Sequence, residues 1–201
     1  GGIYQMEYQG LPQGVPVLNQ EQKQRILDLD QVENVTFYRL REYADSIFYQ
    51  NQSMDGGKVL GIDRDYLDTC GYQMIRGRGF TQKDYEKFHK VALLDETAAN
   101  SFFEKGDEIG KTLEIKGEPF TIVGIIKKSD EYEPVINSVE EYYTYYSDDS
   151  GMVLIPDTSW PIVYQYDEPQ QAAVRTTAPE NMSAVGKKAE EILNEGINSM
   201  S

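Results

Sequence analysis

Cysteine and histidine are almost absent: Cys70 and His89 are the sole examples of their kinds. A single cysteine excludes an intrachain disulfide, and one residue of each kind leaves too few nitrogen and sulfur ligands for a zinc site. A Cys70–His89 nucleophilic couple is chemically conceivable, but nothing in the sequence orients the two groups. Scarce cysteine suits a reducing cytoplasm and a Gram-positive exterior equally well, so it does not fix the compartment. Long apolar runs are also lacking. The longest are a few residues, too short to cross a bilayer, and no signal-peptide pattern is present. No glycine-rich loop leads into a Walker lysine, so no cofactor is expected and ATP would be handled by another chain. Basic residues are outnumbered, 19 Lys and Arg against 34 Asp and Glu, for a net charge of −15. That balance argues against nucleic acid as a partner and against docking on an anionic lipid surface. It permits attraction of a cationic peptide or drug, beside the plainer role of keeping an exported domain soluble.

What is present is enough for a real core. A chain of 201 residues with 39% hydrophobic content forms one domain or two small subdomains. Its fifteen tyrosines outnumber its seven phenylalanines, which suits an extended, much-solvated shape. Gly1-Gly2 reads as a linker, and the chain is expected to be a soluble piece of a longer protein.

The clearest local pattern runs from His89 to Lys128. Val91–Leu94 reads as a strand buried on both faces, and Asp95 as the N-cap of the following helix. Ala98, Ala99, Phe102 and Phe103 make one apolar helix face, with Gly106 expected to stop the helix. Thr112–Lys116 alternates as a strand, Lys116-Gly117-Glu118-Pro119 turns, and Phe120–Ile126 returns as its partner.

Before this stretch, residues 3–8 alternate as a first strand and Gly10–Pro16 forms a loop. Asn19 and Gln22 make a capping box for a helix over about 20–30. Residues 35–40 and 46–50 read as neighbouring strands, and Val59–Ile62 follows the turn at 55–57. Asp63 and Asp65 could open a calcium loop, but Asp68 stands where glycine is required and Met74 where glutamate is, so that reading fails. Tyr66 and Leu67 suit a short helix. Arg76-Gly77-Arg78-Gly79 reads as a turn, because one Arg-Gly pair in so acidic a chain is a poor RNA or phosphate site. The 34 acids offer no spacing that singles out a catalytic pair.

Residues 129–151 change character: few aliphatics, many acids, and Tyr132, Tyr142, Tyr143, Tyr145 and Tyr146. They suit an aromatic contact surface for a partner or ligand, or else a solvated loop whose tyrosines lie flat on the domain. Met152–Pro156, 162–164 and 172–176 then read as strands. A helix from Pro179 to about Asn198 carries Val185, Ala189, Ile192, Leu193 and Ile197 on one face.

The fold class that results is α+β. A split base, 1–75 with 152–201, holds βαββ elements plus C-terminal strands and a helix. A mostly β distal subdomain, 76–151, is inserted in it.

Gly77-Arg78-Gly79-Phe80 with Asp84, Val91–Leu94, Phe102-Phe103, Ile109-Gly110-Lys111 and Phe120–Ile125 come in an order that resembles the extracytoplasmic core domain of MacB-type (FtsX-like) ABC transporter permeases. Residues 76–128 carry the likeness. It implies a non-enzymatic domain hung between transmembrane helices of its own parent chain, on the extracytoplasmic face of a plasma membrane, with a Gram-positive source expected. It also implies a separate ABC ATPase subunit, an adaptor (membrane-fusion) protein as a docking partner, and export of amphiphilic substrates such as antimicrobial peptides, macrolides or lipids. ATP-driven helix movement would pass through the domain, and Gly77, Phe80, Phe102, Phe103, Gly110 and Gly124 would be framework. Two other classes remain open: a ligand-binding sensor or adhesion ectodomain, and a cell-wall hydrolase or its regulator.

Overall fold

The computed structural model describes residues 2–7, 18–54, 56–129 and 151–198. They form a mixed α+β fold built on an 11-stranded sheet. In chain order the strands are β1 (Gly2–Glu7), β2 (Val32–Ala44), β3 (Ile47–Tyr49), β4 (Gln52–Ser53), β5 (Gly57–Ile62), β6 (Tyr72–Gly77), β7 (Val91–Asp95), β8 (Thr112–Ile115), β9 (Glu118–Lys128), β10 (Met152–Pro156) and β11 (Gln171–Thr176). The helices are α1 (Gln20–Leu27), α2 (Tyr66–Thr69), α3 (Gln82–Glu86), α4 (Glu96–Phe102), α5 (Trp160–Val163) and α6 (Met182–Asn198).

Across the sheet the order is β1-β11-β2-β5-β10-β7-β9-β8-β3-β4, with β6 on the C-terminal half of β9. β5 and β10 run parallel, as do β7 and β9; the other pairs are antiparallel. The two ends of the described chain therefore meet. β1 pairs with β11, and α6 packs against both strands and against α1.

Three clusters make the core. Ile26 of α1, Val35 and Phe37 of β2, Ala172 and Val174 of β11, and Val185, Ala189 and Leu193 of α6 close one of them. α6 thus buries the apolar face that its 3.6-residue period lays down. A second, around Ile47, Leu113, Ile115, Phe120, Ile122 and Trp160, lies under α4 and α5. Tyr38, Leu60, Tyr66, Cys70, Leu93, Ile126 and Leu154 form the third.

Several elements differ from expectation. Residues 46–50 do not neighbour 35–40. β3 instead pairs with β4 and β8, Ile47 opposite Ile115, and so lies beside one strand, β8, from the other side of the 75/76 boundary. Residues 162–164 are not a strand. Pro161 sits in the first turn of α5, the Tyr164 N–H donates to the Trp160 carbonyl at 2.9 Å, and the two rings pack i to i+4 with centroids 4.6 Å apart and planes tilted by 43°. β-branched Ile162 and Val163 suggested a strand only because their aromatic neighbours could not be weighed one-dimensionally. Gly106 does not stop α4. The helix ends at Phe102, with extended Phe103 as its C-cap, and Gly106 lies in the turn beyond at φ +94°. β6 passes through the Arg76-Gly77 expected to be a turn.

Candidate functional site

Tyr132, Tyr142, Tyr143, Tyr145 and Tyr146, the contact residues expected from sequence, lie outside the described residues. Their two flanks are described, and they converge. The Ser129 N–H donates to the Gly71 carbonyl at 2.7 Å, and the Lys58 N–H to the Gly151 carbonyl at 3.1 Å. The Tyr72 hydroxyl reaches Met152 Sδ at 3.9 Å, and Lys128 Nζ lies 5.1 Å from the Tyr72 ring centroid. Burial lowers the Lys128 pKa from its ordinary value. Asp95 fastens the returning strand: its Oδ1 accepts from the Ala98 N–H at 2.8 Å, as the N-cap of α4, and from the Met152 N–H at 3.0 Å. Burial raises its pKa despite those two donors. Ser129 and Gly151 thus lie at one end of the sheet, where β6, β9, β10 and the start of α4 come together.

A second polar constellation sits where α1 meets the sheet. Lys23, 8% exposed, donates from Nζ to Asp63 at 3.0 Å and also to Asp65. Asp63 in turn accepts from the Thr36 hydroxyl, the Phe37 N–H at 2.8 Å and the Asp65 N–H at 3.0 Å. Burial pulls the Lys23 pKa down, but the charges and hydrogen bonds of the two aspartates outweigh it and hold the ammonium above its usual range. Asp157, in the single turn Asp157–Ser159 after β10, is pushed up to about 6, first by burial and then by the Asp63 charge. The Asp63-x-Asp65 pattern that failed as a calcium loop therefore holds a lysine.

The third constellation explains the Gly-Arg-Gly-Phe motif. Asp84, 2% exposed, accepts from Arg78 Nη1 and from the Thr81 N–H, both at 2.8 Å, and lies 2.9 Å from His89 Nδ1. Thr81 caps α3 in return, which completes a capping box with an aspartate at N3. Burial works against the Asp84 carboxylate, yet Arg78, Thr81 and His89 together lower its pKa to about 2. His89 and Cys70 do not share a site: His89 faces Asp84, while Cys70 is fully buried in the cluster around Tyr38 and Tyr66. No group of three or more potential metal ligands occurs among the described residues.

The α3 capping box and the Lys23 network were missed from sequence. Thr81-x-x-Asp84 carried the first signal, whereas residues 23, 63 and 157 are joined only by the fold.

A family model described as the MacB-like periplasmic core domain matches residues 3–192. The chain belongs to the MacB-like periplasmic core domain family. Among curated proteins, the ABC transporter permease YvrN of Bacillus subtilis (strain 168) is 28% identical over 182 residues, which cover 90% of this chain and 42% of YvrN. The macrolide export ATP-binding/permease protein MacB of Aggregatibacter actinomycetemcomitans is 30% identical over 76 residues, 38% of this chain and 12% of that protein. The chain therefore spans less than half the length of these relatives. Among solved structures, the extracellular domain of the noncanonic ABC-type transporter YknZ from Gram-positive bacteria superposes with a TM-score of 0.69 at 16% identity, over 98% of this chain and 95% of that one. The periplasmic region of MacB from Actinobacillus actinomycetemcomitans gives 0.66 at 17% identity, over 96% and 82%.

This chain is thus an extracytoplasmic core domain of the MacB-like type, with the fold of the YknZ and MacB domains. No helix among its described residues is long and apolar enough to cross a membrane.

Proposed function

We propose that this MacB-like domain is a non-catalytic transmission element of an ABC transporter permease. It stands on the extracytoplasmic face of a plasma membrane, that of a Gram-positive bacterium, between transmembrane helices of its parent chain. A separate ABC ATPase drives those helices from inside the cell. The observation that carries this reading is the meeting of the two ends: β1 pairs with β11 while α6 packs on β1 and α1. A domain entered and left side by side moves as one lever when the helices below it shift. In this reading its base is residues 1–75 with 152–201 and its distal part 76–151, and β3 of the base pairs with β8 of the distal part. The buried Lys23–Asp63 pair stiffens the base, and an exposed pair, Arg25 of α1 with Glu195 of α6, spans its two helices.

The transported class is amphiphilic: antimicrobial peptides, macrolides or lipids. The macrolide export named for the MacB relatives and the tyrosine-rich segment both support that class. Tyr132, Tyr142, Tyr143, Tyr145 and Tyr146 would then touch an adaptor or a cationic peptide, and seven acids between Asp130 and Asp149 would favour the cationic one.

The test uses the full-length permease with its ATPase in proteoliposomes. Replacing the five tyrosines by serine should leave ATP hydrolysis intact and lower export several-fold. Unchanged export would reject the contact role. Lys23→Met in the base should uncouple hydrolysis from export, and full coupling in that variant would reject transmission through the base.

A further inference from the structure

A polar cleft of about 570 Å³ opens between the C-terminal half of β2, the β8–β9 turn and α5. That volume lies in the range of small-molecule sites. Two cations meet in it over one ring. Arg41 Cζ lies 4.6 Å from the Tyr164 ring centroid and Lys116 Nζ lies 5.6 Å from it. Each cation–π contact is worth about 0.5–1 kcal/mol at an exposed site, too little to explain why two like charges gather there. Two carboxylates act at the same ring, Glu168 and Asp45, and one of them makes an ion pair with a cation there. Glu168 pairs with Arg41, and its Oε1 also accepts from the Gln165 N–H at 3.4 Å. Lys116 has no carboxylate partner among the described residues. A lysine without an ion-pair partner among the described residues stands out in a chain with 34 acids and 19 bases.

The backbone holds Lys116 in place. Its φ is +50°, and its N–H donates to the Ser46 carbonyl at 2.8 Å, so the turn is tied to the β2–β3 connection. Tyr164 is 8% exposed, and its hydroxyl finds no hydrogen-bond partner among the described residues. Burial pushes that hydroxyl up to about 12, so it remains a donor. Two cations and a buried donor without a partner among the described residues therefore meet at one place. The remaining wall is Pro161, Ile162 and Val163 of α5, with Ile162 37% exposed, and the polar Gln165 beyond them.

We propose that this cleft binds a small organic anion, a carboxylate or phosphate on a short apolar stem, with Lys116 and Arg41 holding the oxygens and Ile162 and Val163 lining the stem. The site is independent of the transmission reading above. It differs in sign from the cationic ligand expected for the tyrosine-rich segment.

The protein carries its own reporter. Trp160 is the only tryptophan; it is fully buried, with its ring centroid 4.6 Å from that of Tyr164, which lines the cleft. Trp160 emission is to be titrated with octanoate, octyl phosphate, inorganic phosphate and octyl glucoside, all below their micelle concentrations. Octanoate and octyl phosphate should give saturable changes, and whichever binds more tightly identifies the head group. Lys116→Gln should weaken both at least tenfold, and Lys116→Arg should retain binding. Urea unfolding confirms that each variant is folded, which is expected because the Lys116 side chain is exposed. Four results would each overturn the site: no response to either anion, equal binding by Lys116→Gln, equal binding of octyl glucoside, or inorganic phosphate as tight as octyl phosphate.

Discussion

Lys23 Nζ lies 3.0 Å from Asp63 Oδ2 across 40 residues of sequence, in surroundings that leave the lysine 8% and the aspartate 14% exposed. Removing one partner of such a pair strands the other as a buried charge. Asp63 would keep three donors, from Thr36, Phe37 and Asp65, so the loss sits at the low end for a broken pair. Lys23→Met should cost about 3 kcal/mol in urea unfolding followed by Trp160 emission. Adding Asp157→Asn should recover part of that loss, because Asp157 repels Asp63. A double variant no more stable than the single one would contradict the charge account.

Asp157 alone gives the pH-dependent form of the same argument. Its folded pKa of about 6 stands above that of a free carboxylate, 3.8. Between those values the native state holds a proton that the unfolded chain has released, so stability falls as pH rises from about 4 through 6. Two pKa units correspond to about 2–3 kcal/mol. Asp157→Asn, which keeps the shape and a carbonyl acceptor, should leave stability at pH 4 unchanged and raise it by about 2 kcal/mol at pH 7. Urea midpoints at pH 4, 5, 6 and 7 measure the difference, and a gain equal at all four would exclude titration as its cause.

Asp84 has the opposite sign. Its folded pKa of about 2 is below the free value, so its contribution is complete above pH 4 and disappears as pH falls toward 2. Asp84→Asn should destabilise the domain by at least about 2 kcal/mol at pH 7, since Arg78, His89 and the Thr81 N–H all lose an anionic acceptor. The variant should also lack the wild type's step of stability loss between pH 4 and 2. Acid titration of both proteins by circular dichroism checks this, and identical acid limbs would remove Asp84 from the account.

The parts of this fold legible in sequence are those whose cause is local. The Asn19–Gln22 capping box, the Asp95 cap, the hairpin from Thr112 to Ile126 and the apolar face of α6 each follow from residues a few positions apart. β3 was misplaced because strand partners are chosen by packing. Ile47 finds Ile115 across 68 residues, and no short-range pattern encodes that choice. The same limit hid the polar sites. Lys23 with Asp63, and Arg41 with Lys116 over Tyr164, are assembled from elements that touch only once the sheet has formed. The ordered motifs from Gly77 to Ile125 read correctly as a family mark because the close backbone contacts that they serve lie largely within that stretch.

Those backbone contacts yield a test that separates the two glycines of Gly77-Arg78-Gly79. Gly77 has φ +71°, and a Cβ there would stand 2.1 Å from the Val123 carbonyl oxygen, a backbone atom that cannot swing aside. The Arg78 N–H, just beyond β6, donates to that same oxygen at 2.9 Å, so any retreat of β9 also breaks this backbone hydrogen bond. Gly124 faces the same crossing from the other strand, with a Cβ 2.4 Å from the Arg78 carbonyl oxygen. Gly79 has open space around its Cβ position and no left-handed φ. Gly77→Ala should therefore cost on the order of 3 kcal/mol or more, through strained φ and a forced separation of β6 from β9. Gly79→Ala should change stability by less than about 0.5 kcal/mol in either direction. Urea midpoints of the two variants decide the matter. Equal losses would mean that the motif acts through loop flexibility, whereas a loss confined to Gly77 assigns it to the close approach of β6 and β9.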